Sequence, residues 1–295
     1  MTTMTTTKTM LQLQLEADEL RELRKTKMPP LPPLVHAHQL ASGDQRSDAW
    51  FECRRNYVTA SEMDRLMMAD TCVGKNQLLH EKALPWLRRS SYTNSAMQFG
   101  IDNERLALHL FEQHTDVAGR LRSCLFCCNP EHPDIGGSPD AVLMSASDPA
   151  KVTAVVEVKC PVRPYDRVPH KYVLQMTTYM AVMDVRRCYL VQLSQSNFFS
   201  VTRFSLDANL FADMALKSRA FMTRVRAHRD NLQRARLFLL TALRKPRRAG
   251  VDVLLAAWLL WSPVKFAAPT TARSRGGGKR RVMELSDEPP DSLLG

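Results

Sequence analysis

Hydrophobic positions change their spacing several times along this 295-residue chain, and each change predicts an element. Ala141 to Met144 and Val152 to Val158 are short apolar, β-branched runs separated by Ser145 to Pro149, which reads as a turn. The two runs predict an antiparallel hairpin. Alternate side chains of a strand share a face, which groups Val152, Ala154, Val156 and Val158 on one side and Val155, Glu157 and Lys159 on the other. From Asn94 to His114 the spacing lengthens, and Gly100, Glu104, Ala107, Leu108 and Phe111 fall on one helical stripe. Asp166 to Val185 is helical again, with Tyr172, Gln175, Met176, Tyr179 and Met183 as its stripe. Arg186 to Ser194 predicts a further strand, after which a basic segment begins and the chain reads as helix from Leu206 to about Leu243. Upstream, Tyr57 to Glu62 predicts a strand entering a helix whose N-terminus Ser61 can cap. Leu121 to Cys128 predicts a buried strand.

This pattern divides the chain. Residues 1–45 carry Leu11, Leu13, Leu15, Leu20 and Leu23 at spacings that allow an amphipathic helix, followed by the proline-rich stretch Met28 to Pro33, and are expected to be a flexible extension. Residues 46–230 form the main domain, residues 231–268 a helical extension, and residues 269–295 a disordered tail with a basic cluster from Arg273 to Arg281 and an acidic end. The basic cluster can serve as a nuclear-import signal or a nucleic-acid clamp.

Charge sharpens the picture. Of a net +11, most is local: Lys217 to Ala249 holds eleven Lys or Arg against Asp230 alone, which points to a polyanionic partner. Seven cysteines, an odd number, and an N-terminus without an apolar signal core imply an intracellular, reducing compartment. The longest apolar run, Val251 to Trp261, is interrupted by Asp252 and is about half the length needed to span a bilayer, so no membrane role is expected.

The residues with chemistry lie mainly around the hairpin. Glu157 and Lys159 project together from a strand of the kind that is buried, where an unpartnered charge is costly. If Asp140 lies beside Glu157, two carboxylates and a lysine form a site for a divalent metal; otherwise the pair is an incidental feature of an edge hairpin. Glu104, the one acid on its helical stripe, can supply a third carboxylate, and Gln175 either faces the same site or bonds a loop carbonyl. A helix N-terminus with Arg54 or Arg55 nearby suits a phosphate, although capping alone also explains it. Cys124, Cys127, Cys128 and His132 fit zinc spacing poorly and fit a buried strand better.

Taken together, Arg54…Thr59-Ala60-Ser61, Gly100-x-x-x-Glu104, Ser138-Pro139-Asp140, Glu157-x-Lys159-Cys160-Pro161 and Tyr172-x-x-Gln175 closely resemble the phage lambda exonuclease family, or YqaJ-like viral recombinases, within the PD-(D/E)XK nuclease superfamily. The chain is similar to viral alkaline exonucleases over roughly Asp48 to Ser205. The resemblance implies an α/β fold with a restriction-endonuclease-like core, a central mixed β-sheet flanked by helices, and N- and C-terminal extensions. It implies two Mg²⁺ or Mn²⁺ ions held by Asp140, Glu157 and the backbone carbonyl of Val158, with Glu104 and Gln175 close to the catalytic centre and Lys159 activating water. Arg54 and Ser61 match the family's pocket for a terminal 5′-phosphate. The sequence departs from the family at Ala141, where glycine is usual, and at Thr177, which replaces the second glutamine of a Gln-x-Gln. The implied activity is 5′→3′ hydrolysis of linear double-stranded DNA in viral or mobile-element recombination. Implied partners are a single-strand annealing protein and further copies of the chain, in the nucleus if the host is eukaryotic. Two alternatives stand beside it: a nucleic-acid-binding module of the same fold with little activity, and an RNA-cleaving endonuclease.

Overall fold

The computed structural model describes residues 8–26, 28–40, 47–70, 72–83 and 94–230. The expected extension over 231–268 and tail over 269–295 lie outside the described residues, as does the basic segment beyond Asp230. In chain order the elements are β1 (Lys8–Gln14), α1 (Ala17–Lys25), α2 (Asp48–Arg54), β2 (Val58–Thr59), α3 (Met63–Met67), α4 (Val73–Ala83) and α5 (Ser95–His114). Next come β3 (Arg120–Arg122), β4 (Cys127–Cys128), β5 (Ile135–Gly137), β6 (Ala141–Met144), β7 (Val152–Lys159), α6 (His170–Val182), β8 (Arg187–Leu193), β9 (Phe198–Ser205) and α7 (Ala208–Asp230). A 3-10 turn, Ala60–Glu62, joins β2 to α3.

The β-branched run of β7 is the middle of a mixed six-stranded sheet ordered β1-β9-β8-β7-β6-β3. β6 and β7 form the antiparallel hairpin, with Ala141 opposite Val156, while β8 returns parallel to β7 after α6 has crossed over one face. Both faces are covered, which is why β7 is apolar on both sides. Val142, Val155, Cys188, Leu190 and Phe204 pack beneath α3, α4, α6 and α7. Ala141, Leu143, Ala154, Val156, Val158 and Val191 pack beneath α5, with Leu20 of α1 in the same cluster. A small second sheet, β2-β5-β4, leads directly into the Ser138-Pro139-Asp140 turn.

Several expectations are corrected. Residues 8–26 are not a free extension: β1 pairs antiparallel with β9, and Leu15 and Leu20 are buried. The reason is the period, since Leu11, Leu13 and Leu15 are two apart and mark a strand, and helix begins only at Ala17. The proline-rich stretch is also docked: Leu34 donates its N–H to the Ser123 carbonyl and is itself buried. Leu121 to Cys128 is not one strand, because Arg120–Arg122 joins the large sheet and Cys127–Cys128 the small one, with the chain between crossing from sheet to sheet. β9 occupies residues for which the sequence pattern predicts no element. Val152 faces the opposite side from Ala154 and Val156, because a register irregularity at Leu143/Met144 resets the alternation. Finally, Thr59 rather than Ser61 is the cap: its side chain and that of Glu62 form a capping box across the 3-10 turn.

Replacing Leu20, fully buried between α1 and α5, by Ala should lower the free energy of unfolding by about 2–5 kcal/mol, read from denaturant titration. A loss below about 1 kcal/mol would show that the N-terminal helix is not part of the cooperative unit.

Candidate active site

The hairpin register sets the centre. Asp140 immediately precedes β6, so its side chain reaches across to β7, where the Val158 N–H donates to Asp140 Oδ2 at 2.7 Å. Glu157 points from β7 towards α6 and is 1% exposed. Its Oε1 accepts from Gln175 Nε2 at 2.7 Å and from Lys159 Nζ. The same Gln175 nitrogen donates to Tyr179 Oη at 2.9 Å. Lys159 lies over the Tyr172 ring, 5.0 Å from its centroid. One helical turn of α6 therefore supplies the amide, and the next the phenol that backs it. Gly137 is required by this packing, because a Cβ there would sit 2.6 Å from Tyr179 Cε1.

The charges of this cluster do not balance within the protein. Burial and the neighbouring Asp140 charge push the Glu157 carboxyl up to about 8, against the pull of Lys159. Burial also raises Asp140, opposed by Lys159 and the Val158 N–H. Lys159 is half-buried, and Glu157 and Asp140 hold its pKa above the ordinary lysine value against the cost of desolvation. Glu157 Oε2 is buried with no hydrogen-bond partner among the described residues. A buried, orphaned carboxylate oxygen beside a second acid is the arrangement that a divalent cation relieves, and an all-oxygen donor set suits Mg²⁺ or Mn²⁺ better than zinc. Among the described residues no three His, Cys, Asp or Glu side chains gather as a metal cluster.

The remaining candidates fall around this pair. Glu104, half-buried on α5, lies close to the end of β7. There burial and the charges of Glu104 and Asp140 push the Cys160 thiol up to about 12. Cys124 and Cys127 have sulfurs 3.3 Å apart and are buried, whereas His132 stands edge-on to Phe211, so these residues do not converge.

Arg54 and Ser61 do come together. Arg54 Nη2 donates to Ser61 Oγ at 3.1 Å and to Thr59 Oγ1 at 3.0 Å, and its guanidinium stacks 4.1 Å from the Trp50 ring. Trp50 Nε1 donates to Ser138 Oγ at 3.0 Å, two residues before Asp140, and so ties this pocket to the carboxylates. The two arginines differ in pairing: Arg55 Nη1 donates to both carboxylate oxygens of Glu52, while Arg54 makes no ion pair among the described residues. Sequence reasoning assigns no role to Trp50, Thr59 or Tyr179. Trp50 and Arg54 are nevertheless spaced i, i+4 on a helix, and Thr59-x-x-Glu62 is a capping-box pattern. Within α7 three basic residues have partners in the fold: Arg226 pairs with Asp134, Lys217 with Asp213, and Arg229 donates to the carbonyls of Arg55 and Lys82.

Comparison with known proteins agrees with this architecture. The YqaJ-like viral recombinase domain matches residues 49–186. An alkaline exonuclease from Laribacter hongkongensis superposes with a TM-score of 0.53 at 23% identity, covering 64% of this chain and 97% of that one, and the same values hold for that enzyme solved with dAMP. A phage-related exonuclease from Haemophilus somnus gives a TM-score of 0.44 at 14% identity over 57% of this chain and 93% of that chain. No curated protein matches. Residues 49–186 thus match the YqaJ-like viral recombinase domain, and the chain shares the mixed α/β fold of the Laribacter alkaline exonuclease.

Proposed function

We propose that this chain is a metal-dependent deoxyribonuclease that degrades linear duplex DNA from 5′ ends. The observation that carries the reading is the orphaned Glu157 oxygen, buried against Asp140 and Lys159 and close to an arginine pocket. In this reading Asp140, Glu157 and the Val158 carbonyl hold Mg²⁺ or Mn²⁺, which supplies charge neutralisation at the scissile phosphate and acidifies a water. Gln175 fixes the Glu157 carboxylate through one of its oxygens and leaves the other to face the cation. Lys159, positively charged and held over Tyr172, orients the attacking water or stabilises charge on the phosphate. Glu104 contributes to water or metal binding from the rim. Arg54 and Ser61, with Trp50 beneath, take the terminal phosphate and so place the first diester at the carboxylates. The Laribacter enzyme solved with dAMP, a nucleoside monophosphate of the kind that exonucleases release, favours this reading over a binding module or an RNA endonuclease. Three experiments test it.

Asp140→Asn and Glu157→Gln should each reduce DNA hydrolysis in Mg²⁺ by several orders of magnitude while the protein keeps its melting transition, because neither opens a cavity. Near wild-type cleavage by either variant would end the metal-site reading.

In EDTA, stability should fall as pH rises from about 5 to 8. Glu157 holds its proton in the fold up to about 8 but loses it near 4.5 when unfolded, so the stabilisation is present below the lower value and gone above the higher one. Thermal melts across this range, with Glu157→Gln as the flat control, measure the effect, and Mg²⁺ should reverse the trend.

Duplex with 5′-phosphate ends should be degraded faster than the same duplex with 5′-hydroxyl ends, and Arg54→Ala should remove most of the difference. Equal rates on both ends, or efficient cutting of closed circles, would identify an endonuclease instead.

A further inference from the structure

Lys82, at the end of α4, is among the most deeply buried charged side chains described, at 4% exposure. Its contacts lie away from the carboxylates, and nothing in the metal site uses it. Its ammonium donates to Glu62 Oε2 at 2.7 Å and to the Arg54 carbonyl at 2.8 Å. Glu62 Oε2 in turn accepts the Thr59 N–H at 2.9 Å, and Thr59 Oγ1 accepts from Arg54 Nη2 at 3.0 Å. These four bonds close a ring that begins at the Arg54 main chain and returns to the Arg54 guanidinium.

We infer that Lys82 is a positioning residue for Arg54: the Lys82–Glu62 ion pair fixes both ends of that arginine and thereby sets the chain's preference for 5′-phosphorylated DNA ends. The inference rests on the reading of Arg54 as a terminal-phosphate ligand. Burying an ammonium is unfavourable unless its partners are fully matched, so a lysine here is costly if packing alone were needed. Instead it occupies a position suited to a long cation, donating to the Arg54 carbonyl at the C-terminus of α2, which also accepts the Tyr57 N–H at a longer 3.3 Å. Arg229 of α7 completes the clamp by donating to the carbonyls of Lys82 and Arg55 at 2.8 and 2.7 Å, so that α4 and α2 cannot separate. An arginine held at both ends loses little rotamer freedom when it meets a phosphate, and that saving appears as affinity.

The test is a pair of variants. Lys82→Met alone strands a buried Glu62 carboxylate, so it is combined with Glu62→Gln, which keeps an acceptor for the Thr59 N–H without the charge; Glu62→Gln alone is the milder member of the series. Degradation of duplexes with 5′-phosphate and 5′-hydroxyl ends is followed in Mg²⁺, and the double variant is crystallised. The expected result is a cooperatively folding protein whose KM for phosphorylated ends rises about tenfold or more, with kcat and the rate on hydroxyl ends retained. Its Arg54 guanidinium should have left Thr59 and Ser61. A folded double variant with wild-type discrimination and Arg54 in place overturns the inference. If the wild-type enzyme does not distinguish the two ends, the phosphate reading of the pocket fails, and the crystal structure alone decides whether Lys82 positions Arg54. Should the double variant fail to fold, Glu62→Gln supplies both readouts at smaller amplitude, and an undisturbed Arg54 with full discrimination there overturns the inference equally.

Discussion

Two carboxyl groups held close together by paired strands are the constraint around which this molecule is arranged. Asp140 and Glu157 approach because β6 and β7 are paired in a fixed register, and a one-residue slip would send Glu157 to the α5 face. The neighbours answer that crowding in different ways. Val158 and Gln175 donate hydrogen bonds, Lys159 offsets charge, and Tyr179 holds Gln175. A site of this kind is destabilising on its own and has to be over-determined by its surroundings. Here the surroundings are the two hydrophobic clusters that sandwich β7, so the apolar core is what makes an unfavourable polar centre persist.

Much of that architecture is legible in the sequence. The hairpin can be read because its two strands are continuous β-branched runs with a clear turn between them, and α5 and α6 can be read because their stripes are long. Short or ambiguous signals mislead. Leu11, Leu13 and Leu15 satisfy a strand period, yet Leu20 and Leu23 extend a helical one, so one run of leucines serves two elements. β3 and β4 are only three and two residues long, too short to carry a period, and they belong to different sheets. β9 pairs on both sides, with β8 and β1, which no local pattern discloses. In the site, Asp140, Glu157, Lys159 and Gln175 are all visible in the sequence, because motifs preserve spacing. Tyr179, Trp50 and Lys82 are placed by tertiary contacts, which spacing does not encode.

The basic charge needs a finer division than net charge allows. In the described part of α7, Arg226 and Arg229 hold the fold together by binding Asp134 and main-chain carbonyls, and a count of cations treats them as if they faced a polyanion. The two cations argued to act on substrate sit elsewhere, on α2 and β7. One makes no ion pair among the described residues, and the other is matched to an overcrowded acid pair. Location and pairing, rather than sign, separate structural from functional arginines and lysines.

The pairing of β1 with β9 also fixes an order of events during synthesis. Lys8 lies opposite Arg203, so β1 leaves the ribosome well before β9, the last strand of this sheet in chain order, can pair with it. At typical elongation rates that interval is on the order of ten to forty seconds. Throughout it, Leu11 and Leu13 have no sheet to cover them, which makes the pairing of β1 with β9 the longest-range strand closure among the described residues.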